Sequence, residues 1–368
     1  MSVDDVYMRR AVELAERGRG LVSPNPLVGA VVVRDGEIVG EGWHEGPGRP
    51  HAEVVALDAS GDRARGADLY VNLEPCSHFG RTPPCAPRIV AGGVTRVIAA
   101  LGDPNPLVNG AGFAHLQQAG IEIRVGGLAE LAQRQNEAFL KHVRTRLPFV
   151  TLKMAASLDG KAAARDGSSR WITGEEARAE VHRMRAGADA ILVGAGTAFR
   201  DDPSLTVRDP EYRGRPKLRV VVDGRGIVPE THKVFKDGLA PTIVATSEGA
   251  PRERRDAWRR AGAEVLVLDD DGSALIPLED LLAELGKREI QHVLVEGGPT
   301  IAWEAVQRNL VDKVMLFFAP VLVGGESAPS VLMGGGTPTI GDAVPLELFE
   351  VSRVGRDFKV VAYVHGHR

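Results

Sequence analysis

The chain has 368 residues, a formal net charge of −4 and two cysteines. Its length exceeds what one hydrophobic core usually serves, so two domains are expected. The acidic balance without a basic block predicts no nucleic-acid partner, and no apolar run is long enough to predict a membrane span. No signal peptide is recognisable, so a cytoplasmic location with reduced thiols is expected.

The first half alternates helices and strands, which predicts an α/β domain with a covered sheet. An amphipathic helix comes first, and Arg34-Asp35-Gly36 is typical of a hairpin turn between two strands. The predicted boundary follows the last long helix, at Leu147-Pro148. The predicted elements are helix 3–17, strands 27–33 and 37–43, helix 52–59, strand 68–73, a helix from residue 87, strand 96–100, helix 112–119, strand 121–125 and helix 128–146.

The second half restarts the same alternation and contains no cysteine. It therefore predicts a second α/β domain that ends in a hairpin. The predicted elements are strand 149–155, helix 174–186, strands 190–194, 218–223 and 242–246, helix 252–261, strand 264–268, helix 278–287, strand 292–296, a helix to residue 309, strand 313–319 and a hairpin over 349–364.

Both cysteines lie in one segment, from Cys76 to Cys85, downstream of His51-Ala52-Glu53. An H-x-E element followed by P-C and a second cysteine is typical of zinc-dependent nucleobase deaminases, in which the glutamate moves protons and is not a ligand. Three protein ligands leave the fourth position of a catalytic zinc for a water, which becomes hydroxide near neutral pH. We therefore expect one Zn²⁺ per chain on His51, Cys76 and Cys85, with Glu53 as the catalytic proton carrier.

The cysteine spacing departs from that signature, because eight residues separate the two sulfur ligands where the general pattern has two. The intervening residues must loop out and return, and such a loop can carry substrate contacts. Three alternatives stand beside the catalytic site: a closed structural site with His78 as fourth ligand, a disulfide, and two unrelated thiols near a core histidine. A reducing compartment disfavours the disulfide, and the need for a water disfavours His78 as a ligand.

Three strands of the second half are predicted to end in glycine turns. These turns are Gly194-Ala195-Gly196-Thr197, Glu296-Gly297-Gly298-Pro299 and Val323-Gly324-Gly325. Backbone amides at such turns can hold a phosphate, particularly where a helix begins. None of them fits G-x-G-x-x-G after a first strand, so a standard Rossmann domain is not expected. Tight turns and a phosphate or nucleotide site both remain open interpretations.

Longer motifs carry a resemblance that covers essentially the whole chain. The first half contains PNPLVGAVVV, GWHEGPGRPHAE, NLEPCSHFGRTPPC and DPNPLVNGAG. The second half contains LKMAASLDGKAA, SRWITGEEAR, HRMRAGADAILVGAGTAFRDDPSLTVR and LVEGGPTIA. Together they resemble the bifunctional deaminase/reductase family of riboflavin biosynthesis, whose pattern includes the long cysteine spacing.

The resemblance implies an architecture and two consecutive reactions. Residues 1–147 would form a zinc-dependent pyrimidine deaminase with the three-layer α/β/α fold of cytidine deaminases. Residues 148–368 would form an NADPH-dependent reductase with a dihydrofolate-reductase-like α/β fold. The small-molecule substrate implied is 2,5-diamino-6-ribosylamino-4(3H)-pyrimidinone 5′-phosphate, which is deaminated and then reduced at its ribosyl side chain to 5-amino-6-(5-phosphoribitylamino)uracil. A homo-oligomer is also expected.

The resemblance assigns roles to further residues. Lys153 and Asp201 would be catalytic in the reductase half, with Lys153 polarising or protonating near the sugar. The implied substrate contacts are Asn25, His44 and His78 on the pyrimidine, Arg81, Arg185 and Arg208 on phosphate, and Ser169, Leu205 and Glu296. The implied NADPH contacts are Ala155, Trp171, Thr197, Asp201, Gly297 and Gly298. Without the resemblance, an exposed histidine, a solvated arginine or a strand-edge lysine would explain several of these equally well, and Asp159 is expected to form a turn.

Three rival functions are weighed against this one. A single active half joined to a binding module is disfavoured, because both sets of candidate catalytic residues are complete. A deaminase acting on tRNA or DNA calls for a basic surface and the short cysteine spacing, and the chain has neither. A zinc-free dinucleotide-binding protein would be recognised at once by a metal assay.

Overall fold

The computed structural model describes residues 2–268 and 275–364. The chain divides into two compact units, Met1–Arg146 and Leu147–Arg368, one residue before the boundary expected from the sequence. No helix within the described ranges has both the length and the apolar character that a bilayer crossing requires.

The first unit is built on one five-stranded sheet. Its strands are β1 (Gly29–Arg34), β2 (Glu37–Trp43), β3 (Asp68–Val71), β4 (Arg96–Ala99) and β5 (Glu122–Val125). Its α-helices are α1 (Val3–Glu16), α2 (Ala52–Ser60), α3 (Cys85–Gly92), α4 (Ala111–Gln118), α5 (Ala129–Gln135) and α6 (Glu137–Thr145). The strand order is β2-β1-β3-β4-β5, in which β1 is antiparallel to both neighbours and β3, β4 and β5 run parallel.

Helices cover both faces of this sheet and give a three-layer arrangement. Apolar side chains of α2, α3 and α4 form one core with the sheet, and those of α1 and α5 form the other. The first turn of α2 lies very close to β2. A Cβ atom on Gly42 would be 2.4 Å from the carbonyl oxygen of Ala52, so only glycine allows this approach. The same turn carries His51 and Glu53.

The long helix expected over residues 128–146 is wrong, because the structure has two helices that meet at Asn136. The Asn136 side chain accepts a hydrogen bond from the Leu27 amide at 2.8 Å and donates one to the Leu27 carbonyl at 2.9 Å. This side chain pairs with backbone 109 residues away. Helical periodicity does not predict such a tertiary contact, which here overrides the local helix propensity. The break therefore anchors the segment that carries Asn25.

The second unit is a nine-stranded sheet. Its strands are β6 (Phe149–Ser157), β7 (Ala190–Gly194), β8 (Leu218–Val222), β9 (Thr242–Thr246), β10 (Glu264–Val267), β11 (His292–Val295), β12 (Lys313–Ala319), β13 (Glu347–Val354) and β14 (Asp357–Tyr363). Its α-helices are α7 (Glu175–Gly187), α8 (Ala195–Asp201), α9 (Lys233–Lys236), α10 (Arg252–Arg260), α11 (Leu278–Lys287) and α12 (Pro299–Gln307). The strand order is β10-β9-β8-β7-β11-β6-β12-β14-β13, parallel except for the pairs that involve β14.

Two apolar cores lie on the faces of this sheet. One includes side chains of α11 and α12, and the other includes side chains of α8, α9 and α10. Helices α8 and α9 were not predicted from the sequence. They have seven and four residues, which is too short to show two turns of apolar periodicity.

The Asn136 anchor makes a stability prediction. In Asn136→Ala the buried Leu27 amide loses its acceptor, whereas the Leu27 carbonyl keeps the Asn72 amide at 2.8 Å. We expect the free energy of unfolding of the first unit to fall by about 1–3 kcal/mol, as measured by urea titration. The control is Gln118→Ala on the exposed end of α4. Equal unfolding midpoints for the two variants would contradict the anchoring role.

Candidate functional site

The predicted metal ligands lie together in the first unit. His51 Nδ1 is 3.2 Å from Cys85 Sγ and 3.5 Å from Cys76 Sγ. All three donor atoms lie within 4.8 Å of one another. Both cysteines are free thiols, so the disulfide alternative is wrong. His78 is not part of this cluster, which leaves one position of a tetrahedral zinc without a protein ligand.

Two helix starts bring the donors together. His51 is the N-cap residue of α2, and its side chain makes no capping bond, so the ring is free to face the sulfur atoms. Cys85 is the first residue of α3, two positions before the helix start expected from the sequence. Hydrogen bonding from the Cys85 thiol, followed by that from His51, lowers the pKa of Cys76 to about 4. That direction suits a thiolate ligand.

Glu53 lies beside these donors in the first turn of α2. It is 3% exposed, and its Oε2 atom is buried without a hydrogen-bond partner among the described residues. Burial raises the pKa of this carboxyl group, and the neighbouring His51 opposes the rise. Buried carboxylate oxygens are normally paired, so this oxygen is available to a group outside the described residues.

Asn25 and His44 meet next to the same cluster. The Asn25 Nδ2 atom is 2.9 Å from His44 Nε2, and His44 Nδ1 is 3.2 Å from the carbonyl oxygen of Pro50. Because that carbonyl can only accept, Nδ1 carries the proton and Nε2 accepts from the Asn25 amide. Burial lowers the pKa of His44, which favours this neutral form. The His44 ring is 5.3 Å from the His51 ring, edge to face.

Glu74 is a functional residue that the sequence interpretation missed. It lies just before the cysteine loop, is buried, and ties that loop to residues 103–113. Its two carboxylate oxygens accept hydrogen bonds at 3.0–3.3 Å from the backbone amides of Asp103, Gly110, Gly112 and Phe113. The sequence did contain a signal for residues 103–113, because the PNPLV of residues 24–28 is repeated at 104–108.

Asp103 and His78 also lie in this region. Burial raises the pKa of Asp103 to about 6, with Glu74 adding to the rise and His78 opposing it. His78 Nδ1 is buried and has no hydrogen-bond partner in the part of the chain that the structure describes. Arg81 is exposed on the loop between the two cysteines.

In the second unit, three charged side chains converge: one from β6, one from the end of the adjacent strand β11 and one from helix α7. Arg185 of α7 forms a two-pronged ion pair with Glu296, which follows β11, at 2.5 and 2.8 Å. Burial raises the pKa of Glu296, but the Arg185 and Lys153 charges outweigh it, so the net shift is downward. Burial also lowers the pKa of Lys153 on β6, and nearby Glu296 opposes that fall. A lysine with a lowered pKa can exchange protons more readily.

The glycine turn after β11 lets another group come close to its backbone, because neither glycine has a side chain. Gly297 and Gly298 have φ of +106° and +58°, which L side chains rarely adopt, and α12 begins at Pro299. The amide of Gly298 donates to Thr197 Oγ1 at 2.9 Å, so Thr197 and the turn form one structure. The turn after β12 differs, because the amides of Val323 and Gly324 donate to Asp159. Asp159 therefore forms a turn, as expected.

The segment with Leu205 and Arg208 is held against α7. Arg185 Nη1 donates to the carbonyl of Thr206 at 2.9 Å, and the Arg208 amide donates to His182 Nδ1 at 3.2 Å. His182 was not identified from the sequence, because a side chain that accepts from a backbone amide has no motif of its own. Its position in HRMR, three residues before Arg185, was the available signal.

The remaining predicted residues are less closely connected. The Arg170 guanidinium donates to the Asp201 carbonyl, which joins the segment of Ser169 and Trp171 to α8. Trp171 is 64% exposed, with the Arg178 guanidinium 4.6 Å above its ring. Ala155 packs against an apolar cluster with α7. Among the described contacts, neither a hydrogen bond nor an ion pair joins the side chains of Lys153 and Asp201.

Comparisons with known proteins address both units. Residues 1–101 match the family described as cytidine and deoxycytidylate deaminase zinc-binding region, and residues 148–360 match the RibD C-terminal domain. A riboflavin biosynthesis protein RibD from Bacillus amyloliquefaciens is 45% identical over 360 residues, which covers 98% of this chain and 96% of the relative. The chain belongs to the RibD family.

Solved structures of RibD proteins agree. Form 1 of RibD from Acinetobacter baumannii has a TM-score of 0.88 at 37% identity, and 99% of each chain is covered. A diaminohydroxyphosphoribosylaminopyrimidine deaminase/5-amino-6-(5-phosphoribosylamino)uracil reductase from Thermotoga maritima has a TM-score of 0.86 at 36% identity, again with 99% of each chain covered. The predicted family and the two-part α/β fold are thereby confirmed. The protein is an enzyme of riboflavin biosynthesis with a deaminase and a reductase domain.

The buried Arg185–Glu296 pair makes a testable prediction. Glu296→Gln leaves the guanidinium buried without its carboxylate, so we expect the free energy of unfolding of the second unit to fall by about 3–5 kcal/mol in urea titration. The control is Asp256→Asn, which removes the exposed pairs with Arg259 at 2.9 Å and Arg252 at 3.8 Å on α10 and should cost about 1 kcal/mol or less. Equal losses in the two variants would show that the Glu296 pair contributes no more than a surface pair.

Proposed function

We propose that this RibD protein deaminates 2,5-diamino-6-ribosylamino-4(3H)-pyrimidinone 5′-phosphate in residues 1–147. The product is then reduced in residues 148–368 to 5-amino-6-(5-phosphoribitylamino)uracil. The observation that carries this proposal is the convergence of His51 Nδ1, Cys76 Sγ and Cys85 Sγ beside the unpartnered Oε2 of buried Glu53. The Thermotoga maritima relative is named for both activities, which supports the choice of substrates.

The donor set fits one zinc per chain. One imidazole nitrogen and two sulfur atoms are ligands that zinc prefers, and a catalytic site keeps a position for water. When bound, zinc lowers the pKa of that water and so supplies a nucleophile near neutral pH. His51, Cys76 and Cys85 hold the metal, and no other described side chain belongs to the cluster.

Glu53 moves the protons of the deamination. Its Oε2 atom has no partner within the described chain and is free to take a proton from the attacking water. Burial raises the pKa of this carboxyl group, which suits a group that first accepts a proton and then delivers it to the ring nitrogen and the departing amine.

Four side chains are assigned to the substrate of the first reaction. Asn25, His44 and His78 contact the pyrimidine, and Arg81 binds the phosphate. Neutral His44 orients the Asn25 amide through their 2.9 Å contact, which leaves the Asn25 carbonyl to accept from an amino group of the base. Arg81 is exposed on the cysteine loop, where its guanidinium can form two parallel hydrogen bonds with a phosphate.

In the reductase the protein mainly positions its reactants, because the cofactor carries the hydride. The φ values of the Gly297-Gly298 turn and the start of α12 suit the phosphates of a dinucleotide, and we assign NADPH to this turn together with Thr197, Ala155, Trp171 and Asp201. Lys153 neighbours Glu296 and is assigned to polarise or protonate near the sugar. Asp201 is assigned as the second catalytic residue of this half.

The substrate phosphate of the second reaction is assigned to a different group of residues. Arg185 and Arg208 bind it, and Ser169, Leu205 and Glu296 complete the site. Arg185 bonds both to Glu296 and to the carbonyl of Thr206. The ion pair therefore fixes the position of the residues on either side of Thr206. This arrangement orients the sugar relative to Lys153.

A homo-oligomer and a cytoplasmic location complete the proposal. Strand β13 is the edge of the nine-stranded sheet, and its Leu348 and Val351 are 62% and 59% exposed. Exposed apolar edge strands are normally covered, which supports association through this edge. Thiolate ligands require a reducing environment, which supports the cytoplasmic location.

The first test follows both reactions in one sample. Purified protein receives the diaminopyrimidinone ribosyl phosphate and NADPH, while ammonia release, NADPH absorbance and zinc content are measured together. Ammonia release followed by NADPH consumption, at one zinc per chain, is the expected result. Ammonia without NADPH loss would leave the second unit without the proposed activity, and neither signal in zinc-loaded protein would refute the substrate.

The second test separates the ligands from the proton carrier. Glu53→Gln keeps the size of the side chain but removes its basicity, so we expect ammonia release to fall by at least about 10²–10⁴-fold. Zinc content and NADPH consumption with the deaminated substrate should stay at wild-type levels. The matched control is Glu37→Gln at the exposed first residue of β2, which should leave all three unchanged. Loss of zinc from Glu53→Gln would mean that this residue is a ligand.

A further inference from the structure

The long loop between the two cysteines contacts the far side of the histidine ligand. His51 directs Nδ1 toward the sulfur atoms, and its Nε2 atom lies 3.0 Å from Thr82 Oγ1. Thr82 is one of the eight residues that separate Cys76 from Cys85. The loop that lengthens the cysteine spacing thus returns to the ring of the third ligand.

Thr82 is the acceptor that the geometry offers to His51 Nε2. Of the groups near the ring, His44 has both nitrogens engaged, one with Asn25 and one with the Pro50 carbonyl. Thr82 is half-buried, and its own carbonyl accepts from the Gly80 amide at 3.2 Å, which closes the loop as a tight turn. The loop's own backbone therefore restrains the main chain of Thr82, from which the hydroxyl projects.

The direction of this hydrogen bond determines which nitrogen can bind a metal. A neutral imidazole carries its proton on one nitrogen and a lone pair on the other. If Nε2 donates its proton to Thr82 Oγ1, the lone pair lies on Nδ1, which faces Cys76 and Cys85. Metal-bound histidines generally donate their second N–H to such an acceptor, which orients the ring and makes the ligand nitrogen more basic.

We propose that Thr82 is a positioning residue for zinc. Its Oγ1 atom accepts the Nε2 proton of the His51 tautomer that has its lone pair on Nδ1, and this bond holds the ring with Nδ1 facing the sulfur atoms. The eight-residue spacing then has a physical purpose, since one loop supplies a sulfur ligand at each end and orients the nitrogen ligand from its middle. This inference rests on the proposed zinc site.

The experiment compares three substitutions in the full-length protein. Thr82→Val keeps the shape but removes the acceptor, and Thr82→Ser keeps the acceptor but removes the methyl group. Thr95→Val is the matched control, because it removes a threonine hydroxyl elsewhere in the same unit, where Thr95 bonds to the Ala67 carbonyl at 3.3 Å. The probe is Zn²⁺ alone, titrated in competition with a chelator, and urea titration of zinc-free protein checks each fold.

We expect the zinc dissociation constant of Thr82→Val to rise by about 10–100-fold, the range for loss of a hydrogen bond to a ligand. Thr82→Ser and Thr95→Val should keep wild-type affinity, and the zinc-free proteins should unfold at the same urea concentration. Wild-type affinity in Thr82→Val would overturn the inference alone, and so would a loss in Thr82→Ser as large as that in Thr82→Val. A wild-type protein that binds no zinc would instead refute the proposed deaminase.

Discussion

The first unit is organised around the requirement that one imidazole nitrogen and two sulfur atoms meet at one point. His51 and Cys85 each stand at the start of a helix, and Cys76 lies in a loop that Glu74 secures through four backbone amides. Gly42 allows the His51 helix to approach the sheet closely. Each feature restrains one donor, so the fold itself directs all three donor atoms toward one point.

The candidate site of the second unit is organised around three charged side chains that lie close together. The side chains of Arg185 and Glu296 are largely removed from water and Lys153 is half-buried. Removing a charge from water is costly unless it has a partner. The Arg185–Glu296 pair satisfies two of the three charges and leaves Lys153 with a lowered pKa beside a carboxylate. The same arginine holds the backbone of Thr206, so a substrate site and an ion pair share one side chain. Such sharing means that substitutions at Arg185 or Glu296 affect stability and substrate binding together.

Local patterns predicted much of this architecture. Strand β7 and helix α11 have the predicted bounds, because β7 is a short continuous apolar run and α11 has a strong helical apolar periodicity. The ends of both elements are marked by glycine, proline or charged residues. The metal ligands were predictable because a cysteine pair downstream of H-x-E is rare by chance. What could not be predicted depends on contacts between distant residues. The predicted helix is interrupted at Asn136, whose side chain pairs with the Leu27 backbone. Thr82, Glu74 and His182 contact ring or backbone atoms of residues distant in sequence, and the local sequence pattern does not predict such contacts.

The central claim is that the deaminase half holds zinc on one nitrogen and two sulfur ligands with one further position. X-ray absorption at the zinc edge of the purified protein measures this directly. The account predicts two sulfur atoms at about 2.3 Å and two lighter atoms at about 2.0–2.1 Å, one of them with the scattering pattern of an imidazole. A zinc that is absent, or one bound by a second imidazole in place of the light atom, would contradict it.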